Sequence, residues 1–185
     1  GSQGAMKIQH SYRSTGDYKK IHPYNVVAGY CGEGSSSISE HLKIRGAAIP
    51  YCSGCASGND AIGPGLELIR NDEFDAVVAG GAEEIHEMLF AGFCKLRSMS
   101  EWDGVPSQAM RPFDRNRNGF LLGEGAAFLV LEELCHALER GAPIYAEVLG
   151  HGRTPEAYHP TAPPPVGLRN PAPHPNALSN PRTPP

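Results

Sequence analysis

The sequence of 185 residues lacks several features that mark particular classes of protein. No apolar run is long enough to cross a bilayer, and no signal peptide opens the chain. The net charge is -4, so a basic surface for nucleic acid is not expected. The five cysteines are scattered and odd in number, unlike a secreted disulfide framework. These absences favour a globular protein in the reducing cytoplasm.

The sequence also lacks a complete metal-binding motif. Cys52 and Cys55 form a C-x-x-C pair, but Cys31, Cys94 and Cys135 are isolated and no H-x-x-x-H accompanies them. No metal site is therefore predicted. A redox dithiol or half of a zinc site remains an alternative for the pair, beside the simpler interpretation of two small buried residues.

Both ends of the chain differ from those of an ordinary domain. There is no initiator Met, and the start at Gly1-Ser2 is consistent with a cloning scar or with the interior of a longer protein. Ten of the 17 prolines lie between Pro160 and Pro185. A segment of that composition does not form a regular core and is expected to be extended or disordered.

Between these ends, the hydrophobic pattern predicts strands that alternate with helices, which indicates an α/β layered fold. The predicted strands are Ala47–Tyr51, Phe74–Ala79, Ala126–Leu131 and Ile144–His151. The main predicted helices are Ser57–Arg70, Ile85–Leu96 and Glu132–Gly141, with shorter ones in Tyr24–Tyr30 and Ile38–Leu42. Pro64 predicts a kink or break in the first of the main helices. Residues 1–20 show no convincing period, and residues 32–37 are expected to be flexible.

One cysteine stands where a predicted strand meets a predicted helix. Cys55 lies just before the helix that begins at Ser57, with small residues on both sides. The N-terminal end of a helix favours negative charge, and therefore thiolate over thiol. Cys55 is thus a candidate nucleophile, although spacing alone does not rank it above a buried structural cysteine. Glu124, between two glycines, is expected to pair with Arg111 or Arg117.

Several segments, taken in order, resemble the β-ketoacyl-acyl carrier protein synthases, the ketosynthases of the thiolase superfamily. They are Ser53-Gly54-Cys55-Ala56-Ser57-Gly58, the strand 75–83, Arg111-Pro112-Phe113-Asp114, the runs 117–120 and 123–126, and Tyr158-His159-Pro160-Thr161-Ala162-Pro163. The resemblance is closest to the discrete type II enzymes of fatty acid and polyketide synthesis. It implies an α/β thiolase-like (αβα) half-motif, incomplete at both ends. It also implies a partial ketosynthase N-terminal domain over residues 1–165, followed by the Pro-rich tail over 166–185.

The resemblance also implies a mechanism. Cys55 would accept an acyl group from the phosphopantetheine of an acyl carrier protein, and its backbone N–H would donate to the oxyanion. Malonyl carrier protein would then lose CO2, and the carbanion would attack the Cys55 thioester. The loop that contains His159 and Thr161 borders the pantetheine channel in the family. A minor substrate-binding role and a simple proline-fixed turn are equally good interpretations of that loop.

The resemblance further implies no bound cofactor, an acyl carrier protein as partner, and a dimer. The strand Ala47–Tyr51 would pair with its twin in a homodimer, or with a chain-length-factor-like subunit. Cys55 itself argues against a chain length factor, which has glutamine at that position.

The sequence departs from the family in one important respect. The family's two catalytic histidines come from a later His-Gly-Thr segment and a later Gly-His segment, and His151, His159 and His174 are identified with neither. Their roles are therefore not transferred to this chain. The alternative hypothesis is a catalytically inactive fragment or dimerisation module.

Overall fold

The computed structural model describes residues 2–27, 30, 32–153, 158–159 and 161–162. The tail over 166–185 lies outside the described residues. The chain divides into two compact units, Gly1–Cys52 with Ala82–Ala126 (the first unit) and Ser53–Gly81 with Ala127–Pro185 (the second unit).

Helices and strands alternate along the central part of the chain, which confirms the predicted α/β class. The helices are α1 (Ser2–Thr15), α2 (Tyr24–Val27), α3 (Glu33–Leu42), α4 (Ser57–Arg70), α5 (Glu87–Lys95) and α6 (Leu134–Glu139). The strands are β1 (Ala76–Glu83) and β2 (Gly125–Glu132), and short 3-10 turns cover Tyr18–Lys20, Gly54–Ala56 and Pro106–Gln108. Within the described ranges, no helix has both the length and the apolar character that crossing a membrane requires.

In the second unit, β1 and β2 pair as a two-stranded sheet. The N–H of Glu133 donates to the carbonyl of Asp75 at 2.9 Å, while Gly80 lies against the backbone of Ala127 and Phe128. A later residue of β1 is thus paired with an earlier residue of β2, so the two strands run antiparallel.

Helix α4 packs on one face of this sheet at a glycine. A β-carbon on Gly65 would lie 3.1 Å from Leu131 Cδ1, 3.3 Å from Val77 Cγ1 and 3.6 Å from Ala79 Cβ. Leu66, Ala79 and Leu131 are buried around this contact, and Ala137 of α6 is buried in the same unit. The missing side chain at Gly65 therefore lets the helix approach both strands closely.

Pro64 was predicted to kink or break α4, and the break is wrong, since the helix continues through it from Ser57 to Arg70. Proline costs an interior helix a hydrogen bond and crowds the preceding turn. Here its neighbours Gly63, Gly65 and Leu66 are all buried. Packing against the rest of the unit therefore outweighs the local preference for a break.

Two predicted strands, Ala47–Tyr51 and Ile144–His151, are not strands in the structure. Pro50 cannot donate to a ladder, which weakens the first. The second run lies alongside α4 and does not pair with a strand. Arg70 Nη2, at the end of that helix, donates to the carbonyl of Leu149 at 2.5 Å. The ring of His151 lies against Gly63, with Nδ1 3.9 Å from Glu67 Oε1.

The first unit contains two helices that the sequence pattern did not predict in full. Helix α1 occupies most of the segment without a clear period, and it packs against α2. Helix α3 begins at Glu33, inside the segment expected to be flexible. The hydroxyls of Ser35 and Ser39 donate to carbonyls one turn earlier, at 3.0 and 2.8 Å, so these polar side chains are satisfied within the helix.

The later part of the first unit is organised around α5. His86 Nδ1 accepts the N–H of Leu89 at 3.2 Å and caps the helix, and Phe93 packs edge-on against Phe120 at 5.1 Å. Glu124 Oε1 accepts the N–H of Ile85 at 2.8 Å.

The expected pairing of Glu124 with Arg111 or Arg117 is not found among the described residues. Arg111 instead lies over the ring of Trp102 at 3.9 Å, and Arg117 donates to the carbonyl of Asp114 at 2.8 Å. The Glu124 carboxylate instead accepts the backbone N–H of Ile85, which precedes α5.

An ion-pair cluster joins the end of β2 to α6. Glu132 Oε1 lies 2.5 Å from His136 Nδ1 and 2.6 Å from Arg140 Nε, and Arg140 Nη2 lies 2.6 Å from Glu132 Oε2. The Glu132 side chain is only 9% exposed. The hydrogen bond from Arg140, followed by that from His136, lowers the pKa of Glu132 from 4.5 to about 2.

The close approach of β1 to β2 at Gly80 gives a first prediction. A methyl group on Gly80 would lie 2.6 Å from Phe128 Cα and closer still to the Ala127 carbonyl oxygen. Gly80→Ala is therefore expected to lower the free energy of unfolding by about 1–3 kcal/mol. Gly92→Ala, in α5 with open space around it, should raise that free energy by about 0.5–1 kcal/mol. Urea unfolding of both variants measures the difference, and equal effects would contradict this packing.

The lowered pKa of Glu132 gives a second prediction. The ionised carboxylate stabilises the fold above its ordinary pKa of 4.5, and that contribution disappears as the pH falls towards 2. Wild type should therefore lose stability more steeply over this range than Glu132→Gln. Glu139→Gln, which removes the same charge from the neighbouring helix, should keep the wild-type slope. Thermal unfolding followed by circular dichroism at several pH values measures the slopes. Parallel curves for wild type and Glu132→Gln would contradict the prediction.

Candidate active site

Cys55 lies in the 3-10 turn Gly54–Ala56, which leads directly into α4 at Ser57. The residue is exposed. Gly54 adopts a left-handed conformation with φ of +71°, which glycine reaches without the penalty that a β-carbon brings. The local chain reversal thus places the thiol at the start of the helix, where the sequence predicted it.

Three hydrogen bonds join this turn to the first turn of α4. The N–H of Ser53 donates to Ser57 Oγ at 3.0 Å, and Ser57 Oγ donates to the carbonyl of Gly54 at 2.6 Å. The hydroxyl of Ser53 donates to Asp60 Oδ2. Residues on both sides of Cys55 are therefore tied to the helix that follows it.

The first turn of α4 lies directly against β1. A β-carbon on Gly58 would be 3.6 Å from the nitrogen of Gly81, and one on Gly81 would be 3.4 Å from Gly58 Cα. Helix and strand therefore meet backbone to backbone at this point. The position of the Cys55 turn is set by this contact, because the turn is continuous with the helix.

The helix start after Cys55 carries a carboxylate but no side-chain cap. Ala56, the N-cap of α4, makes no side-chain capping bond, and Asp60 is the acidic residue of the first turn. The Ser53 hydroxyl donates to that carboxylate. The N-terminal end of a helix favours negative charge.

His159 and Thr161 form a separate local turn. His159 Nδ1 accepts the N–H groups of Thr161 and Ala162, each at 3.1 Å, and both His159 and Thr161 are exposed. Among the described residues, no hydrogen bond or ion pair joins this turn to Cys55. The substrate-binding role of His159 and Thr161 stays a prediction.

The four cysteines that the structure describes form no recognisable metal centre. Cys52, Cys55, Cys94 and Cys135 are all exposed, so the alternative of two buried structural cysteines at C-x-x-C is wrong. In the part of the chain that the structure describes, no three metal-ligating side chains cluster.

The link between Ser53 and Asp60 is not predicted by the motifs around Cys55. A hydroxyl residue before a helix and a carboxylate in its first turn are common near helix starts, and this pair is the local signal for the link.

Comparison with known proteins places this geometry in a family. Residues 1–137 match the family described as "Beta-ketoacyl synthase, N-terminal domain". The 3-oxoacyl-[acyl-carrier-protein] synthase 2 of Coxiella burnetii is 37% identical over 168 residues, which are 89% of this chain and 41% of that protein. The chain therefore spans about two fifths of the length of this curated relative.

Two solved structures have a similar fold. The ishigamide ketosynthase/chain length factor matches with a TM-score of 0.77 and 36% identity, over 87% of this chain and 39% of the other. A type II polyketide synthase acyl-carrier protein in complex with its ketosynthase matches with a TM-score of 0.79 and 27% identity, over 85% and 40%. These matches confirm the thiolase-like fold that the motifs predicted. The chain belongs to the β-ketoacyl synthase family, within its N-terminal domain.

Proposed function

We propose that Cys55 is the acyl-accepting nucleophile of a β-ketoacyl-acyl carrier protein synthase. The observation that carries the proposal is an exposed thiol in a turn that leads directly into α4, inside the residues that match the family. Access matters because the donor is a thioester on a second protein. The glycine contact between α4 and β1 gives the turn a rigid support, as a nucleophile requires.

The proposed step is a thioester exchange. The Cys55 thiolate attacks the carbonyl carbon of an acyl group carried on phosphopantetheine, and the carbonyl oxygen becomes an oxyanion. The backbone N–H of Cys55 donates to that oxygen. Collapse of the intermediate breaks the bond to the pantetheine sulfur, which leaves as a thiolate and takes up a proton. The acyl group remains on Cys55, and no resident cofactor is proposed.

The condensation step is proposed for the full-length protein, because this chain spans about two fifths of its curated relative. Malonyl carrier protein would lose CO2, and the resulting carbanion would attack the Cys55 thioester to give a β-ketoacyl carrier protein. The sequence has no His-Gly-Thr segment, and its one Gly-His pair, Gly150-His151, belongs to the run that packs along α4. This chain alone is therefore proposed to accept an acyl group without condensing it.

An acyl carrier protein is the proposed partner of the site. One similar structure is described as a ketosynthase in complex with its carrier protein, and another as a ketosynthase/chain length factor pair. A homodimer, or a pair with a chain-length-factor-like subunit, is proposed on the same basis. The exposed segment Ala47–Pro50 supports this, because an unpaired extended segment can add to a partner's sheet. The four exposed cysteines fit a reducing compartment such as the cytoplasm.

His159 is proposed to contribute weakly to pantetheine binding. Its Nδ1 accepts two backbone N–H groups, which fixes the ring and leaves Nε2 as the hydrogen-bond donor. Thr161, exposed in the same turn, offers a hydroxyl to an extended amide chain.

Acyl transfer to Cys55 is directly testable. After incubation with an acylated carrier protein, peptide mass spectrometry should find the acyl mass on Cys55. Cys55→Ala should abolish the adduct, because the variant lacks the proposed acyl-accepting thiol. Cys52→Ser should retain it and serves as the matched control. An adduct on Cys52 in preference to Cys55 would overturn the proposal.

Decarboxylation separates this chain from a complete enzyme. With labelled malonyl carrier protein, CO2 release should be no faster with the isolated chain than without protein, because the sequence has no His-Gly-Thr segment. Robust release by the chain would contradict this. Absence of both acylation and decarboxylation would favour the alternative of an inactive dimerisation module.

A further inference from the structure

We propose that Asp60 is a positioning residue for Cys55, acting through the hydroxyl of Ser53 on the turn between them. This inference rests on the proposed function, since it names a residue that serves the acyl-accepting turn. Among the described residues, no hydrogen bond joins either side chain to the sulfur. Their effect is on the backbone that presents Cys55.

The geometry gives the link a specific place. Ser53 precedes the turn Gly54–Ala56, and Asp60 lies in the first turn of α4. The Ser53 hydroxyl donates to Asp60 Oδ2, so this side-chain bond spans the whole turn from one side to the other. A hydrogen bond to a carboxylate is stronger than one between neutral groups. Asp60 is half-buried, which limits competition from water.

A second link closes the same turn independently. Ser57 Oγ accepts the N–H of Ser53 at 3.0 Å and donates to the carbonyl of Gly54 at 2.6 Å. The left-handed Gly54, with φ of +71°, has no side chain to restrict its backbone. The two links together restrain the backbone of the turn, which Gly54 by itself leaves free to change conformation. Loss of the Asp60 link would leave the turn held by Ser57 alone.

The restraint matters most for a reaction that passes through an oxyanion. The backbone N–H of Cys55 must point at the oxyanion as it forms, and this direction depends on the Gly54–Cys55 peptide plane. A displacement reaction at sulfur places no such demand on the backbone. A positioning role therefore predicts a selective loss of acyl transfer, whereas a general role in folding predicts loss of both reactions.

Two small reagents separate these reactions without a carrier protein. p-Nitrophenyl acetate acylates a thiolate through a tetrahedral oxyanion, and iodoacetamide alkylates it by direct displacement. Rates at Cys55 would be measured by site-resolved peptide mass spectrometry for wild type, Ser53→Ala and Asp60→Ala. The expected result is a loss of about tenfold in acylation, a fraction of the ~10²–10³-fold that removal of an oxyanion donor costs. Alkylation should change by less than about threefold, because displacement at sulfur does not use the backbone N–H as a donor.

Rescue and control variants complete the design. Ser53→Thr keeps the hydroxyl and should restore most of the acylation rate, while Asp103→Ala, in the loop after α5, should match wild type. The double variant Ser53→Ala/Asp60→Ala should be no slower than either single variant, because one link is lost in each case.

The outcomes are distinct. Equal losses in acylation and alkylation, or no loss in acylation, would overturn the positioning role. Failure of wild type to accept an acyl group from a carrier protein would overturn the proposed function. The positioning role would still be decided by the ratio of the acylation rate to the alkylation rate with the two small reagents.

Discussion

The second unit depends on the close approach of α4 to the sheet through glycines. Gly65 faces the side chains of both strands, and Gly58 meets Gly81 backbone to backbone. A methyl group at Gly65 would crowd Leu131 and Val77, whereas one at Gly58 or Gly81 would sit at ordinary van der Waals distance from the backbone opposite. The helix start, and the Cys55 turn that is continuous with it, inherit their position from this packing.

The same packing explains where local rules failed. Proline at position 64 predicts a break, yet α4 continues because the residues around it are buried against the rest of the unit. Helix propensity and proline penalties describe an isolated chain, and tertiary burial outweighs them when the helix face is well matched. The serines of α3 show a related effect, since they satisfy their hydroxyls on the helix backbone.

The sequence predicted those elements whose information is local. The bounds of α4, the apolar runs of β1 and β2, and the position of Cys55 follow from periodicity, glycine punctuation and the order of motifs. Ala47–Tyr51 and Ile144–His151 were mistaken for strands because an apolar extended run is necessary but not sufficient. A strand also requires a hydrogen-bonded neighbour, and local sequence does not specify whether one is present. For the second run, Arg70 and Gly63 of α4 provide the contacts instead.

The candidate site also has one part that the local sequence predicts and one part that it does not. Motif order identified the nucleophile, since a cysteine between small residues before a helix is a local pattern. The residues that hold the turn are seven positions apart, and their link exists only when the helix forms and brings Asp60 back towards Ser53. A thiol at a helix start is a common arrangement and does not by itself define a site. What distinguishes Cys55 is that its turn is bonded to α4 and that α4 packs on β1 at Gly58, so that a chain of contacts connects the turn to the sheet.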